Sequence, residues 1–220
     1  MVPRKNSTSA SRDILKIYSN SSLLTRLHVF IRFKTCPFLS IEQLIPKKGL
    51  IVDYGCGHGV FSHILSIISQ ERKIYAIDIS KEKIKEAKKT IVEAARIKFL
   101  DDSDMNGLIK EADCIVVLDV LCYFSNQERE EMLKRFYKAL KPGATVVIKD
   151  MDKSLLIKYA WLYLQEFLTV KLLGITKASL LNFFDVEYLS KLLVGIGFNV
   201  QVINMDKHYL YPHVTFVCRK

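Results

Sequence analysis

Three glycines and two carboxylates form the clearest chemical pattern in this chain. Residues 51–59, Ile-Val-Asp-Tyr-Gly-Cys-Gly-His-Gly, run from an apolar stretch into a turn with glycine at 55, 57 and 59, and an amphipathic pattern begins at Val60. Glycine tolerates positive φ and lets a ligand approach the main chain closely. A helix that starts directly after such a turn aims unpaired N–H groups at whatever lies above it. Asp78 follows nineteen residues after Gly59, near the end of a second apolar run, Ile74-Tyr-Ala-Ile-Asp-Ile79. In a βαβ unit that position delivers a carboxylate to ribose hydroxyls. The pattern predicts a site for a nucleoside-containing cofactor; the plainer reading is a tight strand-to-helix turn that binds nothing.

Regular elements must hold these residues in place. Residues 14–33 show roughly helical spacing broken at Ser19-Asn-Ser-Ser22, a stop and N-cap cluster, which predicts two short helices. Cys36-Pro37 is a break, and 40–44 is predicted as a short helix. Residues 49–54 form the first predicted strand and 58–69 the first crossover helix. The second strand covers 73–78, and a helix N-capped by Ser80 runs to about Ala95. Strands are predicted at 97–100, 112–118 and 144–149, the last preceded by a helix at 127–140 and a Lys141-Pro-Gly143 stop. Five strands alternating with helices give a parallel, doubly wound α/β sheet. Residues 186–196 read as a helix ending at Gly197. Residues 199–203 and 213–218 then read as two strands with no helix between them, an antiparallel end to the sheet.

A dinucleotide-binding turn would read G-x-G-x-x-G/A, but the sixth position from Gly55 is Val60. The spacing is G-x-G-x-G, with Asp53 two residues before the first glycine. With Asp78 closing the next strand, this resembles the first two motifs of class I S-adenosylmethionine-dependent methyltransferases of the small-molecule and lipid type. The resemblance covers about residues 45–150 motif by motif, and 185–220 by pattern alone. It implies a Rossmann-like sheet of seven strands, S-adenosyl-L-methionine as cofactor and S-adenosyl-L-homocysteine as product. It also implies that the turn formed by Tyr54, Gly55, Cys56, Gly57 and Gly59 meets the methionine part and the ribose. Asp53 would help receive the amino-acid end, and Asp78, with Ile79 beside it, would hold the ribose hydroxyls. One acid of Asp101-Asp102, with Ser103, would approach the adenine; Asp102 is preferred because the family acid usually precedes a small residue. Residues 118–124 correspond to the family's fourth motif, which places Asp119 among the cofactor-binding residues. Many small-molecule and lipid methyltransferases have His where Cys122 stands, so a His base there is not supported. The Asp/Asn-Pro-Pro-aromatic motif of enzymes that methylate nucleobase or glutamine nitrogens is missing as well.

Methyl transfer is an in-line displacement at a sulfonium carbon, so the protein mainly positions a nucleophile and, for some acceptors, removes a proton. Candidate bases are Asp150, Asp152, His208 and His213, with Asp150-Met-Asp152 expected just past the fifth strand; Tyr123 and Tyr211 could also point in. Each has a plain structural alternative. His58 is expected to shape the glycine turn, and His63 to be surface or core. Residues 153–184 form an insertion whose stretch 155–174 is apolar and aromatic, with Lys158, Gln165 and Thr169 on one face. A membrane span of ~20 residues would not keep Lys, Gln and Glu within it. The stretch is expected to pack as a lid with the N-terminal helices, to lie on a membrane surface, or simply to complete the core. The predicted organisation is a tail and helical cap over 1–44 and a methyltransferase domain over 45–220, with the lid insertion at 153–184. Insertions at this point commonly build the acceptor site in the family, which implies a hydrophobic small-molecule or lipid-like acceptor methylated on oxygen or carbon.

Composition weighs the alternatives. The 220 residues are half hydrophobic, enough for a substantial core. Five cysteines, at 36, 56, 114, 122 and 218, show neither paired nor metal-like spacing, so no metal site is expected. An odd count without a framework favours a reducing compartment, hence the cytoplasm. The N-terminus lacks an apolar signal core. A net charge of +10 invites nucleic acid, but the lysines fall on solvated helix faces at 81–89 and 134–141, with no aromatic-interleaved basic block. Nucleic acid is therefore disfavoured as a partner, and peripheral contact with an anionic membrane fits the same charge. An RNA methyltransferase and a non-catalytic protein of methyltransferase fold remain the competing readings.

Overall fold

A computed structural model describes residues 13–91, 96–101, 105–152, 182–207, 209 and 211–220. Seven strands form one sheet in the order β3-β2-β1-β4-β5-β7-β6. They are β1 (Gly49–Tyr54), β2 (Arg72–Ile77), β3 (Ile97–Leu100), β4 (Cys114–Leu118), β5 (Thr145–Met151), β6 (Asn199–Asn204) and β7 (His213–Arg219). The first five pair in parallel, while β7 runs antiparallel to both β5 and β6. This is the expected seven-stranded methyltransferase-type sheet, with the antiparallel pair at its end.

The helices follow from the alternation of side chains along each strand. Ile51, Ile74, Val116 and Val147 face one layer, where they pack with Ile64 and Leu65 of α4 (Val60–Ile68) and Ile84 of α5 (Lys81–Lys88). The N-terminal helices join this layer: α1 (residues 13–17), α2 (Leu23–Thr35) and α3 (Phe38–Glu42). Val52, Ile115, Val117 and Ile148 face the other layer, against α7 (Asn126–Ala139) and α8 (Val186–Ile196), with α6 (Met105–Glu111) beside them. Arg72, fully buried, ties α3 to the sheet: it donates to the carbonyls of Pro46, Leu65 and Ile45 and pairs with Glu42 at 2.8 Å.

Several boundaries differ from the sequence reading for local reasons. The helix expected at 40–44 starts at Phe38, directly behind Pro37, because proline's fixed φ suits a helix start. Helix α5 ends at Lys88 instead of continuing to about Ala95; Thr90 donates its hydroxyl to the Ala87 carbonyl and meets His63 Nε2 at 2.7 Å. Helix α7 begins at Asn126 behind a capping box of Ser125 and Glu128. Strand β5 runs two residues beyond Lys149 because β7 pairs with it as far as Met151. Asp150, expected just past the strand, therefore lies within it and is fully buried. Most of the insertion, 153–181, lies outside the described residues; its return is marked by a parallel bridge between Asp152 and Phe184.

Candidate functional site

Strand order reverses between β1 and β4, and in an open α/β sheet ligands bind at the carboxyl ends of the strands at that point. The glycine turn leaves β1 there. The N–H groups of Gly55 and Cys56 both donate to the Ile77 carbonyl, at 2.8 and 2.9 Å, which pins the turn to the end of β2. Gly57 N–H donates to Asp78 Oδ2 at 2.7 Å, and Ser80 N–H donates to Oδ1 at 2.8 Å. Asp78 thus brackets the turn, and each of its carboxylate oxygens keeps further lone-pair capacity for a ligand hydroxyl.

Two glycines serve different ends. A Cβ on Gly59, at φ 81°, would sit 2.5 Å from the Phe99 ring, so this glycine permits α4 to pack on β3. A Cβ on Gly57, at φ 55°, would meet nothing within 4 Å, so this glycine faces open space directly beside Asp78. An uncovered backbone next to a bracketed carboxylate suits a ribose and the chain attached to it. Beneath the turn, Asp53 accepts a 2.5 Å hydrogen bond from Ser62 of α4, and burial raises its carboxyl to about 6. From the other side, the buried Tyr18 hydroxyl donates to the His58 carbonyl at 2.7 Å. His58 Nδ1 is buried without a hydrogen-bond partner, and its ring lies 5.1 Å from that of His28.

The other residues expected at the cofactor have distinct placements. Tyr54 packs edge-on against Phe136 on the α7 layer. Burial pushes the Cys56 thiol well up, which makes it a poor nucleophile. Ile79 is 84 % exposed just beyond Asp78. Asp102 and Ser103 lie outside the described residues. His63 is core: it is buried in an edge contact with Tyr18, and burial lowers it to about 4.

Asp119 belongs to a second constellation. It ends β4 with φ 55°, the one non-glycine residue of positive φ among those described, and Asp is among the few side chains that accept this conformation. Its Oδ1 accepts from Lys149 Nζ at 2.6 Å and its Oδ2 from Arg32 at 2.7 Å. Burial alone would raise this carboxyl, but Lys149 and Arg32 outweigh it and hold the group far below the usual range. Next to it, Asp150 accepts from Met151 N–H at 2.8 Å and from Cys122 N–H at 3.3 Å. Burial, reinforced by the charge of Asp119, raises Asp150 to about 7. His213 faces the same group from β7. Its Nε2 lies 2.6 Å from the Thr35 carbonyl and must donate, while Nδ1 is buried without a partner. Burial and Lys149 lower His213 to about 3.

Of the remaining candidates, Tyr123 is 45 % exposed on the short 3-10 turn after β4 (Leu121–Tyr123). Asp152 is half-buried at the bridge to Phe184, and Tyr211 is buried against His213. His208 lies outside the described residues. Three cations escaped the sequence reading: Arg32, Lys149 and Arg129. Arg129 is fully buried, donating to the Leu121 carbonyl at 3.2 Å and the Asn182 carbonyl at 2.6 Å, with its guanidinium 4.9 Å from the Phe184 ring centre. Lys149 had a readable signal: it is the one cation on a strand whose neighbour ends at Asp119.

With this geometry in hand, comparison with known proteins defines the class. Residues 32–202, well over half of the chain, match the family described as methyltransferase domain. The chain belongs to that family, and its fold is that of the class I S-adenosylmethionine-dependent methyltransferases. Among curated proteins, a carboxy-S-adenosyl-L-methionine synthase from Hamiltonella defensa is 29 % identical over 117 residues, 50 % of this chain and 45 % of the relative. Another, from Helicobacter pylori (strain ATCC 700392 / 26695), is 29 % identical over 137 residues, 57 % of this chain and 56 % of the relative. The chain thus spans about half the length of the curated relatives it matches. Among solved structures, the Synechocystis PCC 6803 magnesium protoporphyrin IX methyltransferase with bound S-adenosylhomocysteine superposes with a TM-score of 0.65 at 17 % identity, covering 96 % of this chain and 95 % of that one. Human N-acetylserotonin methyltransferase in complex with S-adenosylmethionine gives 0.64 at 17 % identity, covering 97 % and 65 %. The last two likenesses establish the fold.

Proposed function

We propose that this protein transfers a methyl group from S-adenosyl-L-methionine to a hydrophobic small-molecule or lipid-like acceptor. The observation that carries the cofactor half is the open backbone at Gly57 beside the bracketed Asp78 carboxylate. When bound, the cofactor supplies an electrophilic sulfonium methyl group. Asp78 would accept from the ribose hydroxyls, the turn at Gly55–Gly57 would lie along the methionine chain, and Asp53 would support the turn from below. Support for an apolar acceptor comes from the buried cluster of Cys122, Met151, Phe183 and Tyr211 beside the ends of β4 and β5. Asp150, joined to that cluster through the N–H groups of Cys122 and Met151, is the candidate base, and burial raises its carboxyl.

A second reading rests on the curated relatives: the protein would instead form carboxy-S-adenosyl-L-methionine. Titration calorimetry with S-adenosylmethionine and S-adenosylhomocysteine, with NAD as control, tests the site. Incubation with lipid, acyl and aromatic acceptors then separates the readings. Transfer releases S-adenosylhomocysteine and a methylated acceptor; the second reading needs a decarboxylating acid added as carboxyl donor, whose CO2 replaces one proton of the sulfonium methyl group, and yields a carboxylated cofactor and no methylated acceptor. Absence of binding to either sulfur ligand would overturn both.

A further inference from the structure

Helix α2 turns the wrong way for a soluble surface. Its sequence, Leu-Leu-Thr-Arg-Leu-His-Val-Phe-Ile-Arg-Phe-Lys-Thr over Leu23–Thr35, contains no acid and four basic or titratable cationic side chains. Thr25 and Val29 are buried, and Arg32 reaches inward to Asp119. The opposite side carries Leu23, Leu24, Leu27, Phe30 and Ile31, which are 78, 75, 53, 44 and 43 % exposed. At 3.6 residues per turn these five fall within roughly 120° of one face. Scattered exposed apolar residues are ordinary, but a contiguous stripe of five large ones marks a surface that meets something.

Charge indicates what it meets. Arg26 flanks the apolar stripe on one side and Lys34 lies on it at its C-terminal end, both exposed; His28, on the other side, packs against His58, and burial lowers it to about 4, so it stays neutral. A stripe of Leu, Ile and Phe bordered by basic groups and free of acids fits the boundary between acyl chains and anionic headgroups. The chain's net charge of +10 acts in the same direction. The helix has 13 residues, far short of a span, and among the described residues no helix is long and apolar enough to cross a membrane. Ser22 caps its N-terminus and the Arg32–Asp119 pair fixes its inner side, so the stripe is held in place as part of the folded surface.

We propose that α2 docks the protein on an anionic lipid surface, with Leu23, Leu24, Leu27, Phe30 and Ile31 inserted at the headgroup boundary and Arg26 and Lys34 paired with the headgroups. The docking surface is independent of which acceptor the site uses. It also sets the geometry of access, because the inner side of the same helix contacts Asp119 at the end of β4.

The test is co-sedimentation of the full chain with phosphatidylcholine vesicles prepared with and without phosphatidylglycerol. Binding is expected only to the anionic vesicles, weakening as salt is added. L27E combined with F30E should lower the partition coefficient roughly tenfold or more, and R26E combined with K34E should remove the preference for anionic lipid. Both variants change exposed positions, and circular dichroism with a urea midpoint verifies that each is folded. Failure of the wild-type chain to bind anionic vesicles overturns the proposal, as does equal binding by a folded L27E/F30E chain. Light scattering that shows a dimer dissolved by the same pair would assign the stripe to a second copy and overturn it equally.

Discussion

The Arg32 guanidinium lies 2.7 Å from the Asp119 carboxylate, joining residues 87 positions apart. This contact locks an N-terminal helix to the end of β4, where the strand order reverses. Lys149 occupies the other carboxylate oxygen from a fully buried position. One anion therefore balances two cations, and the three members should respond unequally to substitution.

Asp119→Asn keeps a side chain that tolerates positive φ, so it isolates the charge. It leaves Lys149 buried without a counter-ion and should cost about 3–5 kcal/mol of stability. Arg32→Met leaves the Lys149–Asp119 pair intact and should cost about 1 kcal/mol, since Arg32 is only partly buried. Urea unfolding of both variants checks the order; equal costs would mean that Lys149 finds another partner.

Gly57 and Gly59 should separate binding from folding. Gly57→Ala places a methyl group in open space at a left-handed φ, so stability should fall by about 1 kcal/mol. Its S-adenosylmethionine affinity should fall much further, because the methyl group occupies the approach to the backbone. Gly59→Ala must displace the Phe99 ring and should cost about 2–4 kcal/mol of stability. Denaturant midpoints read beside calorimetric titrations distinguish the two.

Asp78→Ala should weaken S-adenosylmethionine binding by about 1.5–3 kcal/mol, the usual range for hydrogen bonds to a charged group. The turn also loses its anchor at Gly57 N–H, so the variant's unfolding curve must be measured alongside. A folded variant with unchanged affinity would remove Asp78 from the cofactor site.

His213 should impose an acid limb on stability. Its folded value, about 3, lies below the ordinary 6.5, so between those values the unfolded chain binds a proton that the folded chain refuses. Stability from this group is complete above pH 6.5 and declines as pH falls toward 3. At pH 5 the loss should be about 1–2 kcal/mol relative to pH 7.5. His213→Gln keeps a donor for the Thr35 carbonyl and should flatten that limb. Urea midpoints at the two pH values are the measurement.

The sheet was legible because its strands are short apolar runs and its turns carry glycine. The turn at 55–59 and the antiparallel β7 followed from spacing alone. Boundaries were harder where a tertiary contact decided them. Thr90 stops α5 through His63, and β7 extends β5 past Lys149 until Asp150 is buried. The candidate site divides in the same way. Asp53, the glycines and Asp78 lie within one βαβ unit, so their relation is local. Arg32, Lys149 and His213 meet Asp119 from three separate parts of the chain, and no spacing rule connects them.

The bridge between Asp152 and Phe184 has an energetic corollary. With Asn182 N–H donating to the Cys122 carbonyl and Arg129 gripping the Asn182 carbonyl, residues 153–181 depart from and return to one clamped point. Once the ends of an excursion are fixed together, doubling its length adds only ~0.6 kcal/mol of closure entropy. The clamp itself is made by Asp152, Asn182 and Phe184 against Cys122 and Arg129, on the α7 side of the sheet, and among the described residues shares no contact with the glycine turn that leaves β1.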